Sequence, residues 1–146
     1  MKKVKDILNA KHDAETYSIS PTAMVWDAIK LMTDKGVGAL LVTEHDTLVG
    51  IVSERDYMRK VALMGRSSQT TAVKDIMTPN PLTVTPDESM EHCMELMTAK
   101  HIRHLPIAAG NKLFGMLSIS DLLENTLEDQ KHLIKQLEQY IRGETY

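Results

Sequence analysis

The sequence predicts a mixed α/β (α+β) protein: two copies of a strand–helix–strand–strand–helix unit, packed as a pseudo-twofold pair and followed by a long C-terminal helix. Three observations carry this. Sliding the chain against itself by 65 positions aligns Ser18–Met58 with Thr83–Leu123 without a gap, and pairs such as Leu31/Leu96, Gly50/Gly115, Ser53/Ser118 and Asp56/Asp121 are identical. Within each copy the apolar period switches between two and about 3.6, so strands and helices alternate. Each copy is also too small to bury a comfortable core alone, which two copies packed sheet against sheet would supply.

The elements follow in order. The openings "VKDIL" (4–8) and "VKDIM" (73–77) match at a shift of 69, so the first copy carries four extra residues within "NAKHDAET". "YSIS" and "LTVT" alternate as short strands. Ser20-Pro21 and Thr85-Pro86 are read as helix starts, a hydroxyl cap followed by a proline whose missing N–H is not needed there. Thr85 and Glu88 have capping-box spacing. Met24, Ala28 and Leu31, and Met90, Met94 and Met97, mark buried helix faces, with methionine as adaptable core filling.

A hairpin follows in each copy. "GALLV" and "LVGIVS" flank a turn near His45-Asp46, and "HLPI" and "LFGMLS" flank one at Gly110-Asn111. The second helices begin at Ser53 and Ser118. "GRSSQTTA" lacks apolar periodicity and reads as a linker. The expected organisation is a first repeat at 1–64, a linker at 65–72, a second repeat at 73–124 and a C-terminal helix over 120–143. About 22 helical residues span about 33 Å. Leu123, Leu127, Gln130, Ile134, Leu137 and Ile141 follow a 4-3-4-3-4 spacing, the seam of a short coiled coil. The expectation is that this seam packs on a second subunit; a helix folded back on its own pair is the alternative.

Composition excludes several classes. The chain has 146 residues, 42% hydrophobic and 25% charged, as a soluble globular protein has. A net charge of −3 argues against a broad nucleic-acid-binding face. No apolar run has the roughly 18–20 residues that span a bilayer, so no membrane role is expected. The basic N-terminus has no apolar stretch behind it, so it is not read as a secretory signal. A single cysteine, Cys93, fits a reducing cytoplasm. No P-loop, G-x-S-x-G, H-E-x-x-H or Rossmann fingerprint occurs, so no enzyme is expected. His101 and His104 lie at a helix–strand junction without a carboxylate cluster nearby in sequence, and no metal site is expected.

The repeated G-[IM]-[VL]-S-x-x-D (Gly50–Asp56, Gly115–Asp121), "RHLPI" and "DIMTPNPLTVTPDESM", in this order and spacing, resemble a tandem pair of the CBS domain family, a Bateman module of the stand-alone type. The resemblance covers nearly the whole chain. It implies a homodimer that binds an adenine nucleotide (AMP, ADP/ATP or NAD(H), with S-adenosylmethionine also in the family's range) in clefts between the repeats. It also implies that occupancy regulates a separate protein through a change in conformation or assembly.

Asp56 and Asp121 can accept hydrogen bonds from a ribose diol, and would repel a 2′-phosphate, which favours NAD over NADP. Ser53 and Ser118 can reach a ribose or phosphate oxygen; Ser at a cap and Asp in the first turn also serve ordinary helix capping with no ligand. The resemblance places Arg103 and His104 at the ligand phosphates, a rigid cationic fork and a pH-dependent donor. The first copy has Gly38 and Ala39 there, with Arg55 as compensation, so two unequal clefts are expected; solvated surface charges are the alternative for both arginines. The family also places Thr78, Pro81 and Leu82 along the adenine. Tyr17 can stack on the base or belong to the core rim. The competing functional class is a ligand-independent dimeric scaffold that works through its C-terminal helix.

Overall fold

A computed structural model describes residues 2–10, 17–125 and 131–144. The chain divides into two compact units, one of Met1–Ala14 with Thr83–Tyr146 and the other of Glu15–Leu82. These units do not coincide with the expected repeats at 1–64 and 73–124. The opening segment of each copy belongs to the other copy's unit.

The reason lies in backbone hydrogen bonding. In the unit of Glu15–Leu82, Val73 N donates to Ala23 O (2.8 Å), Lys74 N to Pro21 O (2.9 Å) and Val25 N to Thr71 O (2.8 Å). In the other unit, Val4 N donates to Glu88 O (2.9 Å), Lys5 N to Pro86 O (2.9 Å) and Met90 N to Lys2 O (3.2 Å). The two sets match position for position. Each opening segment then lowers two apolar side chains into the core it joins: Val73 and Ile76 in one, Val4 and Ile7 in the other.

In the unit of Glu15–Leu82, β1 (Ser18–Ile19) runs parallel to β2 (Ala39–Glu44), and β2 pairs antiparallel with β3 (Thr47–Ser53). Helix α2 (Val25–Lys35) buries Val25, Ala28 and Met32, one position away from the expected Met24–Leu31 face. It starts five residues after Ser20, because Ser20–Ala23 form a turn and the backbone there serves the opening segment of copy two. The hairpin turn falls at His45 and Asp46, both with positive φ. Ser53 caps α3 (Glu54–Tyr57), which continues as a wider π turn over Met58–Ala62. The segment 65–72 is pinned onto α2, with Trp26 N donating to Ser68 O (2.9 Å) and a buried Thr71.

A fourth strand, β4 (Thr78–Pro79), pairs with β3 at Gly50 and Ile51. A Cβ added to Gly50 would stand 2.6 Å from Met77 Sδ and 2.9 Å from the carbonyl oxygen of Thr78. The thioether can yield; the strand backbone cannot without losing its pairing. Gly50→Ala is therefore expected to cost about 1–3 kcal/mol in urea unfolding, and a variant as stable as wild type would refute the close approach.

The other unit holds α1 (Val4–Ala10), α4 (Met90–Lys100), the hairpin β5 (His104–Ala109) and β6 (Lys112–Ser118), α5 (Ile119–Asn125) and α6 (Lys131–Glu144). Helix α4 is capped by Ser89, whose hydroxyl accepts from His92 N (3.1 Å), and not by Thr85. Met90, Cys93 and Met97 are buried, with Met94 packed at the core's edge. The expected strand "LTVT" shrinks to one parallel bridge, Val84 with Ile107. In the first copy Leu41 N donates to Tyr17 O (3.1 Å). The equivalent of Leu41 is Pro106, which has no N–H to give, so the ladder loses that rung.

A continuous helix over 120–143 is not shown: α5 and α6 are described on either side of residues 126–130, and Leu127 and Gln130 of the seam lie outside the described residues. Part of the remaining seam is buried within its own unit. Leu137 and Tyr140 are buried in the same core as Val4 and Ile7, Ile141 packs against it, and Tyr140 Oη donates to Ile102 O. The helix folds back on its own unit.

Candidate functional site

Both copies deliver an aspartate to the end of a hairpin by the same local construction. β3 ends in Ser53. Its hydroxyl accepts from Asp56 N (3.3 Å), and its N–H donates to Asp56 Oδ2 (2.9 Å), a reciprocal capping box. In the second copy Asp121 N donates to Ser118 Oγ (3.1 Å), and Ser118 N donates to Asp121 Oδ2 (2.8 Å). Two orphan amides at a helix start are satisfied, and the carboxylate is fixed through Oδ2. The capping reading of these residues is thus real. It leaves the ribose reading open, because a carboxylate offers roughly four acceptor positions on two oxygens.

Arg103 and His104 arrive at the same place in the second copy. His104 opens β5 in register with Ser118, and Ile119 N donates to the carbonyl of Arg103 (2.9 Å). Both basic residues are half-buried. Sheet register therefore joins Arg103, His104, Ser118 and Asp121 at one hairpin end. In the first copy Ala39 faces Ser53 across the ladder and Glu54 N donates to Gly38 O (3.0 Å). Arg55 sits half-buried on α3 beside Asp56.

The segment carrying Thr78, Pro81 and Leu82 precedes the first strand of copy two in sequence, yet it belongs to the unit of Asp56. Thr78 pairs with Ile51, and Asn80 N donates to Val49 O (3.2 Å). Thr78 and Leu82 are exposed and Pro81 is half-buried. Tyr17 packs against the core of that unit, and the Nζ of Lys35 lies 5.4 Å from its ring centroid. That cation lies against the ring of a side chain at the core rim.

Sequence reasoning missed Lys60. Its ammonium lies 3.3 Å from Asp56 Oδ1 and donates to the carbonyl of Ile76 (2.8 Å). The i,i+4 spacing from Asp56 was the available signal.

His101 ends α4 in the left-handed conformation (φ 55°), where the first copy has Gly36. No group of three or more metal-ligating side chains occurs among the described residues, and no described helix is long and apolar enough to cross a membrane. Cys93 is fully buried; desolvation, helped by the negative charge of Glu88, pushes its pKa from 9.0 up to about 11. The folded state thus keeps its proton at a pH where the unfolded chain has lost it. That contribution is intact below pH 9 and lost between about 9 and 11, roughly 2–3 kcal/mol in all. Alkaline unfolding series of wild type and Cys93→Ala should diverge across that window, and parallel curves would refute the assignment.

Residues 4–63 and 73–128 match the profile of the CBS domain. The chain is 42% identical over 124 residues to CBS domain-containing protein CBSX3, mitochondrial, from Arabidopsis thaliana, covering 82% of this chain but only 60% of that protein. Among solved structures it is similar to a protein with CBS domains from Burkholderia ambifaria (48% identity, TM-score 0.84, 88% of this chain and 96% of that one). It is also similar to CBSX2, solved in complex with AMP (26% identity, TM-score 0.74, 89% of this chain and 99% of that one). With two matched segments over most of its length, the chain belongs to the CBS domain family, as a tandem pair.

Proposed function

We propose that the protein is a regulatory module, working as a homodimer, that binds an adenine nucleotide through the two aspartates and signals by a change of conformation or assembly. The observation that carries this is the duplicated Ser-x-x-Asp construction, which presents a fixed carboxylate from each copy. AMP in the related CBSX2 supports the ligand class. Asp56 and Asp121 accept from ribose hydroxyls, with Ser53 and Ser118 behind them. Arg103 and His104 meet phosphates in the second copy, with Arg55 in that role in the first. Thr78, Pro81 and Leu82 line the base on the Asp56 side. AMP and NAD(H) fit this reading best. A ligand that favours one arrangement over another by its differential affinity shifts the population toward it, and a separate protein reads that shift.

Thermal unfolding with AMP, ATP and NADH tests the reading. At a hundred times Kd a ligand should add about 2.7 kcal/mol of stability. Asp121→Ala should weaken the cap itself by about 1 kcal/mol, so the quantity to read is the ligand-induced shift, which should shrink in Asp121→Ala or Asp56→Ala and vanish in the double variant. A double variant that keeps the full shift would refute the ribose role. Native mass spectrometry of the purified protein would report subunit number and any retained nucleotide together.

A further inference from the structure

Asp56 has a cation of its own helical segment beside it. Asp56 Oδ2 accepts from both Ser53 N (2.9 Å) and Ser53 Oγ (3.1 Å), and Oδ1 faces Lys60 Nζ at 3.3 Å. Of roughly four acceptor positions on the carboxylate, one remains, on Oδ1. Asp56 can therefore take one ribose hydroxyl, not both. Lys60 has three N–H donors; one goes to Asp56 and one to the carbonyl of Ile76 at 2.8 Å, which leaves a third. The lysine is also the more open partner, its side chain 41% exposed against 15% for Asp56. At the matching position of the second copy stands Asn125, a neutral amide whose Nδ2 donates to the main-chain oxygen of Asp121 (2.8 Å).

We propose that Lys60 is the second half of the ribose grip in the first copy: Asp56 accepts from one hydroxyl, and the ammonium donates to the oxygen at the neighbouring carbon. This rests on the ribose role of Asp56 proposed above. The consequence concerns the ligand class. A carboxylate with no cation beside it repels a phosphate attached to the ribose, because two anions are forced together. In the Asp56–Lys60 pair the formal charges cancel, and the remaining donor is one that a phosphate oxygen accepts from more strongly than a hydroxyl oxygen does. The first copy therefore takes a ribose carrying a 2′-phosphate at least as well as a plain diol.

Calorimetry in an Asp121→Ala background isolates the first copy. The probes are AMP and adenosine 2′,5′-bisphosphate, titrated into that variant alone and with Lys60→Met or Lys60→Arg. The bisphosphate should bind as tightly as AMP or tighter with lysine or arginine at 60. It should lose about tenfold in affinity with methionine, the size of one charge-assisted hydrogen bond. The melting temperature without ligand, read for all three, separates loss of the ligand contact from loss of the Asp56 and Ile76 partners, and lysine and arginine should match in it. A preference for AMP that ignores residue 60 would overturn the inference and leave the ribose role of Asp56 standing. Failure of either nucleotide to bind at millimolar concentration would overturn both.

Discussion

Ile7→Ala, a change within the first ten residues, should destabilise the protein by about 2–5 kcal/mol. Terminal positions usually tolerate truncation, so the expectation comes from packing alone. Ile7 is 1% exposed in a core that contains Met97, Leu105, Ile107 and Leu122. Helix α1 is held there by Val4 N on Glu88 O and Lys5 N on Pro86 O. Removing three methyl(ene) carbons leaves a cavity that this tied backbone cannot close. The location of the damage is as specific as its size. Native-state amide exchange should accelerate in α4, β5 and β6, with β2 and β3 spared. Ile76→Ala should give the mirror result, a similar loss felt in β2 and β3, because Ile76 occupies the equivalent place in the other core. Accelerated exchange in the hairpin of its own sequence copy would sink the exchange of opening segments between units.

That exchange marks where the sequence could and could not be read. The duplication, the two hairpins and the caps at Ser53 and Ser118 were legible, because each is written in local terms: an ungapped match, a period of two, a hydroxyl three residues before a carboxylate. The matched openings "VKDIL" and "VKDIM" were visible as well. Their destination was not, since a short segment that pairs by backbone groups carries no side-chain signal for which copy it joins. The displaced starts of α2 and α4 have the same origin. Ser20-Pro21 and Thr85-Pro86 look like caps, but Pro21 O and Pro86 O accept from the incoming segments. The loss of the strand at Val84 was readable in principle from Pro106 opposite Leu41. Of the candidate site, each aspartate meets the serine of its own unit, and in the second copy ladder register brings the basic pair to the same hairpin end. Thr78 joins the other copy, and Lys60 escaped notice although its i,i+4 spacing from Asp56 was visible, because its second partner, the carbonyl of Ile76, comes near only in the folded chain.

Leu137→Ala should cost a further 2–5 kcal/mol or so, and it decides what the C-terminal helix is for. A coiled-coil seam and a helix laid on its own core share one apolar pattern, because both need a stripe of side chains on a single face. The difference lies in what covers the stripe. Leu137 is 0% exposed in the single chain, and Tyr140 is 9% exposed with its hydroxyl on Ile102 O. Such a residue has no surface left to offer a partner. The melting temperature of Leu137→Ala should therefore fall by the same amount across a tenfold range of protein concentration, with subunit number unchanged. Gln136 and Gln139 face solvent on the same helix. Replacing either with alanine should leave stability within about 0.5 kcal/mol. A Leu137→Ala protein that melts like wild type but separates into smaller species would reassign this face to an intersubunit seam. The opposite outcome keeps Leu137 as a core residue of its own unit, so that a disturbance of this helix is felt first in how that unit is packed.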